Sequence, residues 1–131
     1  MGRAIGLTID LENQRIFWAD SQLDRIESAD LDGKYRNILI KDIAHPYGLT
    51  LMDQYVYWSD SHTKAIERAN KVTGADHETI CDNIENLIEI KAVSLSRQTG
   101  ANPCAVLNGA CSHLCLFRPQ GLNVTLICKN F

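Results

Sequence analysis

The side chains here with chemical capacity are five cysteines, four histidines and two Trp-x-Asp words, Trp18-Ala19-Asp20 and Trp58-Ser59-Asp60. Cys104, Cys111, Cys115 and Cys128 crowd the C-terminal end, and Cys81 stands apart. Such density suggests a small module that lacks a core and depends on disulfides for its stability. An odd cysteine in an extracellular chain implies a free thiol or an intermolecular bridge, and Cys81 has no evident partner. His45, His62, His77 and His113 are isolated, with no His-x3-His or Cys-x2-Cys spacing, so no metal site is expected. No Gly-x-Ser-x-Gly elbow and no glycine-rich phosphate loop occurs either. The sequence therefore points away from an enzyme and calls for no cofactor.

The elements that must position these residues come from a repeat. Gly6-Leu7-Thr8-Ile9 returns as Gly48-Leu49-Thr50-Leu51. Ile16-Phe17-Trp18-Ala19-Asp20 returns as Val56-Tyr57-Trp58-Ser59-Asp60, and Arg25-Ile26-Glu27-Ser28-Ala29 as Ala65-Ile66-Glu67-Arg68-Ala69. The offset is slightly smaller for these two words than for the first, because the turn at 11–15 is shorter in the second copy. Each copy is a succession of short apolar runs broken by turn residues, which predicts strands at 6–9, 15–18, 25–29 and 36–40 and their second-copy counterparts. Asp32-Gly33 is a hairpin signal, because glycine accepts the positive φ of a tight turn. A four-stranded sheet of this length has two faces to cover, so such units stack, and a period of about 40 residues favours radial stacking as propeller blades.

Within that frame Trp18 and Trp58 are expected to pack between blades, each burying a large flat side chain. Asp20 and Asp60 end their strands, where a carboxylate accepts turn amides or pairs with an arginine, with Arg25 and Arg68 as the candidates. Composition excludes other classes. Apolar residues make 45% and charged residues 22%, as in ordinary globular domains, and the net charge of −3 with no basic stripe argues against nucleic acid. No apolar run approaches the ~20 residues of a membrane span, and the first residues do not form a secretory signal, so the segment itself is not expected to insert in a membrane.

Phe17-Trp18-Ala19-Asp20 and Tyr57-Trp58-Ser59-Asp60 resemble the YWTD motif of the low-density lipoprotein receptor-related family. Arg25-Ile26-Glu27-Ser28-Ala29-Asp30-Leu31-Asp32-Gly33 and His45-Pro46-Tyr47-Gly48-Leu49-Thr50 resemble the same blades. The resemblance implies an all-β chain: a partial propeller over residues 1–100, with blades at 1–47 and 48–90 and a closing strand at 90–95, then an incomplete EGF-like module over 101–131. The blades needed to close a ring would lie elsewhere in a parent chain. Cys104-x6-Cys111-x3-Cys115 resembles the start of the EGF module, whose pairing, carried over, links Cys104 to Cys115 and Cys111 to Cys128. No acidic cluster of the kind that holds calcium precedes Cys104. Asn123-Val124-Thr125 is a glycosylation acceptor, consistent with a surface loop of a secreted chain.

The resemblance further implies an extracellular receptor region at the plasma membrane that binds secreted protein ligands, in endocytosis, Wnt-pathway modulation or synapse formation. Ligand faces in such propellers are built from loops joining strands, here residues 21–24 and 61–64. Asp24, Arg25, His62 and Lys64 are the expected contact residues. Alternative readings are a truncated fragment or decoy with no activity of its own and, by fold analogy alone, a propeller hydrolase.

Overall fold

The computed structural model describes residues 2–93 in full and residues 114–120 and 123–129 as backbone. Eight strands fill the first part: β1 Ala4–Asp10, β2 Arg15–Asp20, β3 Arg25–Asp30, β4 Asn37–Ile40, β5 Pro46–Met52, β6 Tyr55–Asp60, β7 Ala65–Asn70 and β8 Glu78–Cys81. They form two four-stranded antiparallel meanders in the orders β1-β2-β3-β4 and β5-β6-β7-β8, the all-β architecture that the repeat predicts. The described residues contain no helix.

Turn chemistry explains why the chain reverses where it does. Left-handed backbone recurs at equivalent points of the two copies: Gln14 and Asp53 between the first two strands, and Asp24 and Lys64 between the second and third. Gly33 and Gly74 have φ of +84° and +70° in the third turn, as the Asp-Gly word predicts for the first copy. The motif carboxylates close the second turns, and Asp30 and Asn70 the third, where Gly33 N donates to Asp30 O at 2.8 Å and Gly74 N to Asn70 O at 2.9 Å.

Register then divides each sheet into two faces. In the first sheet Leu7 pairs with Trp18 and Trp18 with Glu27, so these share one face. Thr8 pairs with Phe17, and Phe17 with Ser28, on the other. That second face meets the Trp58 face of the second sheet. Phe17, Ala19, Ile26, Ile40 and Ile43 from one side and Leu49, Leu51, Val56, Trp58 and Ala69 from the other make one buried core. Trp58 is fully buried there, and an aromatic side chain of that size removes roughly 200 Å² of surface from water, so this contact dominates the stability of the pair.

The two sheets come into close backbone approach at two glycines: a Cβ at Gly6 would collide with the Tyr47 carbonyl oxygen, and one at Gly74 with the Leu39 carbonyl oxygen. An ion pair locks the rim: Lys71 Nζ lies 2.8 Å from Asp10 Oδ2, and both side chains are buried. Gly48 in the second sheet has the same crowding as Gly6, with the backbone of Glu89 and Ile90 across it. Ser59 Oγ receives the Gly48 N–H and donates to Ile88 O, and Thr50 Oγ1 accepts from Ala92 N.

The chain divides into two compact units, Met1–Ala92 and Val93–Phe131. In the second, β9 Leu114–Gln120 and β10 Asn123–Lys129 pair as an antiparallel hairpin. Asn123 and Thr125 thus lie on a strand rather than in the loop that the glycosylation motif suggests.

Gly6→Ala is expected to destabilise the fold by about 1–3 kcal/mol, because the added methyl meets backbone that cannot rotate away. Denaturant midpoints measured by circular dichroism give the comparison. Gly33→Ala, open within 4 Å but at positive φ, should cost only the left-handed strain of about 1–2 kcal/mol.

Candidate functional site

The two second turns, residues 21–24 and 61–64, occupy equivalent places in the two sheets, and each is built on the motif carboxylate that precedes it. Asp20 is fully buried and accepts four backbone N–H groups: Gly2 at 2.7 Å, Arg3 at 2.9 Å, and Gln22 and Leu23 at 3.1 Å each. Asp60 repeats the arrangement with His45, His62 and Thr63, each at 2.9 Å. One carboxylate therefore holds its own turn and pins the chain entering the first strand of its sheet. Burial pushes the Asp20 carboxyl upward, but the amides of Arg3, Gly2, Gln22 and Leu23 outweigh it and hold the group below the usual carboxylate range.

The arginines assigned to these carboxylates go elsewhere. Arg25 pairs with Glu27 at 2.9 Å, and Arg68 with Glu78 at 2.7 Å and with the Tyr57 hydroxyl at 3.4 Å. The physical reason is saturation: turn and strand-start amides already occupy the lone pairs of a carboxylate buried below the turn.

Of the expected contact residues, Asp24, His62 and Lys64 are exposed and Arg25 is half-buried. Asp24 and Lys64 take the same left-handed position, φ +48° and +55°, and their carbonyls accept the N–H groups of Ile43 and Ile84. Lys64 Nζ is paired with Glu85 at 2.8 Å, whereas the Asp24 carboxylate and the His62 imidazole have no hydrogen-bond or ionic partner among the described residues. The structure thus places the four on two equivalent turns, each sheet contributing one pair, with two side chains already engaged and two free to meet a partner.

Trp18 and Trp58 are not available as binding surface, being 6% and 0% exposed. Their indole N–H groups are buried without an acceptor, and each ring is capped by a cationic or titratable neighbour. Arg36 lies 5.3 Å from the Trp18 ring centroid, and the His77 ring lies against Trp58 at 5.0 Å between centroids, tilted by 55°. Each cap is held by the glutamate beside the tryptophan. Glu27, 2% exposed, receives Arg36 at 2.7 Å as well as Arg25. Glu67 faces His77 at 2.8 Å. Hydrogen bonds from Arg36, then Arg25, outweigh burial and keep the Glu27 carboxyl below its ordinary range. Motif and spacing alone do not single out Glu27 and Glu67. Their signal is a carboxylate at the same place in both repeats, directly across the strand pair from each motif tryptophan.

Both disulfides implied for the tail include a cysteine outside the described residues, Cys104 in one and Cys111 in the other. The hairpin register sets Cys115 directly opposite Cys128.

Two stacked four-stranded meanders, each turned on a buried Trp-x-Asp carboxylate, define a β-propeller repeat chain of the YWTD class. Residues 14–51 match the low-density lipoprotein receptor repeat class B. The chain is 51% identical over 113 residues to rat low-density lipoprotein receptor-related protein 4, covering 86% of this chain and 6% of that protein. It is 40% identical over 121 residues to human low-density lipoprotein receptor-related protein 5, covering 92% of this chain and 8% of that protein. Among solved structures it matches a chain in the crystal structure of a nidogen/laminin complex, with a TM-score of 0.58 and 27% identity, over 65% of this chain and 32% of that one. The chain belongs to the low-density lipoprotein receptor-related family, and it spans less than a tenth of the length of these receptor-related relatives.

The charge on Asp20 carries a definite pH signature. Its carboxyl is depressed in the folded state, so its stabilisation is complete above the unfolded value and is lost as pH falls through the folded one. Thermal melts should therefore fall steeply below about pH 4. Asp20→Asn should lower stability at neutral pH by about 1–3 kcal/mol and flatten that acid slope.

Proposed function

We propose that this chain is part of the extracellular ligand-binding region of a low-density lipoprotein receptor-related cell-surface receptor, acting by contact with a secreted protein and not by catalysis. The observation that carries the reading is the paired construction of the 21–24 and 61–64 turns. Buried carboxylates fix both backbones rigidly, yet Asp24 and His62 remain unpartnered and exposed on those turns. A rigid scaffold that presents polar side chains on strand-joining turns is how binding loops are commonly carried. The turns carry few aromatic residues, so in this reading they supply orientation and on-rate more than the central affinity. The family resemblance supports the receptor setting, including roles in endocytosis, Wnt-pathway modulation or synapse formation. In that setting the hairpin unit belongs to an EGF-like module with Cys104–Cys115 and Cys111–Cys128 bridges and a glycan on Asn123.

The test uses the receptor that carries this segment and its own protein ligand. Alanine at Asp24, Arg25, His62 and Lys64 together should weaken binding about tenfold or more, chiefly by slowing association and with reduced salt dependence. Unchanged kinetics in a receptor that still folds and reaches the surface would remove these turns from the ligand site.

A further inference from the structure

A cavity of about 190 Å³ opens between the two sheets, at the end of the strands away from turns 21–24 and 61–64. Phe17 gives it an apolar wall from the first sheet and Val72 one from the second, and its polar lining includes Asp10, Arg15, Asn37 and Lys71. Both walls come from sheets already packed on each other, so the cavity does not depend on what lies beyond either of them. One small side chain makes the room. Ser28, also in the lining, pairs with Phe17 on one side and Asn37 on the other. At the matching position of the second sheet Arg68 stands opposite Glu78 and covers the Tyr55 ring at 4.3 Å.

The lining holds more donors than acceptors. Lys71 is 7% exposed, and of its three ammonium N–H groups the described residues satisfy one, through Asp10 Oδ2 at 2.8 Å. Asp10 is itself saturated, since Asn13 donates to both of its oxygens. Asn37 turns its Oδ1 to Arg15 and Ser28, each at 2.9 Å, which leaves its two Nδ2 donors without an acceptor among the described residues. Arg15 adds a second cation, whose counter-ion Asp30 lies outside the lining. The cavity thus faces two cations and one anion, with spare donors on the ammonium and the amide. An acceptor-only, negatively charged group completes that set, and an ammonium does not.

We propose that this cavity is a socket for the carboxylate side chain of a glutamate or aspartate on a protein partner, its stem on Phe17 and Val72 and its oxygens on Lys71 and Asn37. Size favours one side chain, because pockets for drug-sized ligands run from about 300 to 1,000 Å³. The rim favours a protein. Val72 at the mouth is 71% exposed, and Tyr35, whose carbonyl accepts from Arg15 at 3.5 Å, is 77% exposed. An aromatic and an aliphatic side chain beside a charged socket supply the anchors that turns 21–24 and 61–64 lack. The surface is therefore a second one, at the opposite ends of the strands from those turns.

The probe is the blocked tripeptide acetyl-Ala-Glu-Ala-amide, titrated to about 10 mM into the isotope-labelled whole chain and followed by nuclear magnetic resonance. It should shift the Asn37 side-chain amide and the Asn13 and Val72 backbone amides saturably. The same peptide with glutamine should bind about tenfold more weakly, and the one with lysine not at all. Asn37→Asp keeps the oxygen that Arg15 and Ser28 use and replaces the spare donors with a charge, so it should weaken the glutamate peptide about tenfold while the remaining spectrum stays folded. Val72→Glu, at an exposed position, should do the same. Alanine at Asp24 and His62 should leave the peptide unaffected, which separates this surface from the turns. No saturable shift, equal binding of the glutamine peptide, unchanged binding by Asn37→Asp, or dependence on Asp24 and His62 would overturn the proposal. So would free glutarate binding more tightly than the peptide, since the cavity would then serve a small carboxylate and not a protein.

Discussion

A four-stranded sheet with apolar side chains on both faces cannot be stable alone in water, and the structure of the first unit follows from that constraint. The contact that answers it is the one between Phe17, Ala19, Ile26 and Ile40 on one sheet and Leu49, Leu51, Val56 and Trp58 on the next. Gly6 is there because no other residue lets the Tyr47 carbonyl come so near. Asp10 and Lys71 are there because a rim between two sheets can hold two opposite charges out of water only as a pair.

The motif aspartates serve the same contact indirectly. A strand that is to place Trp58 against its neighbour must end at a fixed height, and Asp60 sets that height by binding the His62 and Thr63 amides of its own turn and the His45 amide where β5 begins. Asp20 does so in the first sheet with Gly2, Arg3, Gln22 and Leu23. The exposed turn positions Asp24 and His62 are therefore held in place by carboxylates buried beneath them.

Much of this was legible in the sequence, for identifiable reasons. The repeat from Gly6 to Gly48 and the turn words between apolar runs reveal the strands and their order, because period-two patterning and left-handed turn positions are local properties. The burial of the tryptophans and the turn-binding role of Asp20 and Asp60 were legible for the same reason. The partners of Arg25 and Arg68 were not, since a charge in a strand reads as solvated until the register shows which face it shares. Glu27 is the clearest case: a carboxylate buried between Arg25 and Arg36 on the Trp18 face reveals itself only through the pairing of β2, β3 and the turn before β4. The Asp10–Lys71 pair joins two positions in different repeats and depends wholly on how two sheets stack.

If the sheet-to-sheet contact is what both sheets depend on, neither should open without the other. Native-state hydrogen exchange, resolved to peptides from β2–β3 and from β6–β7, measures this directly. The two sets should exchange through one opening with the same denaturant dependence, and Trp58→Ala should lower the protection of both by a common amount of about 3–5 kcal/mol. Loss of protection confined to β6–β7, with β2–β3 unchanged, would contradict the account.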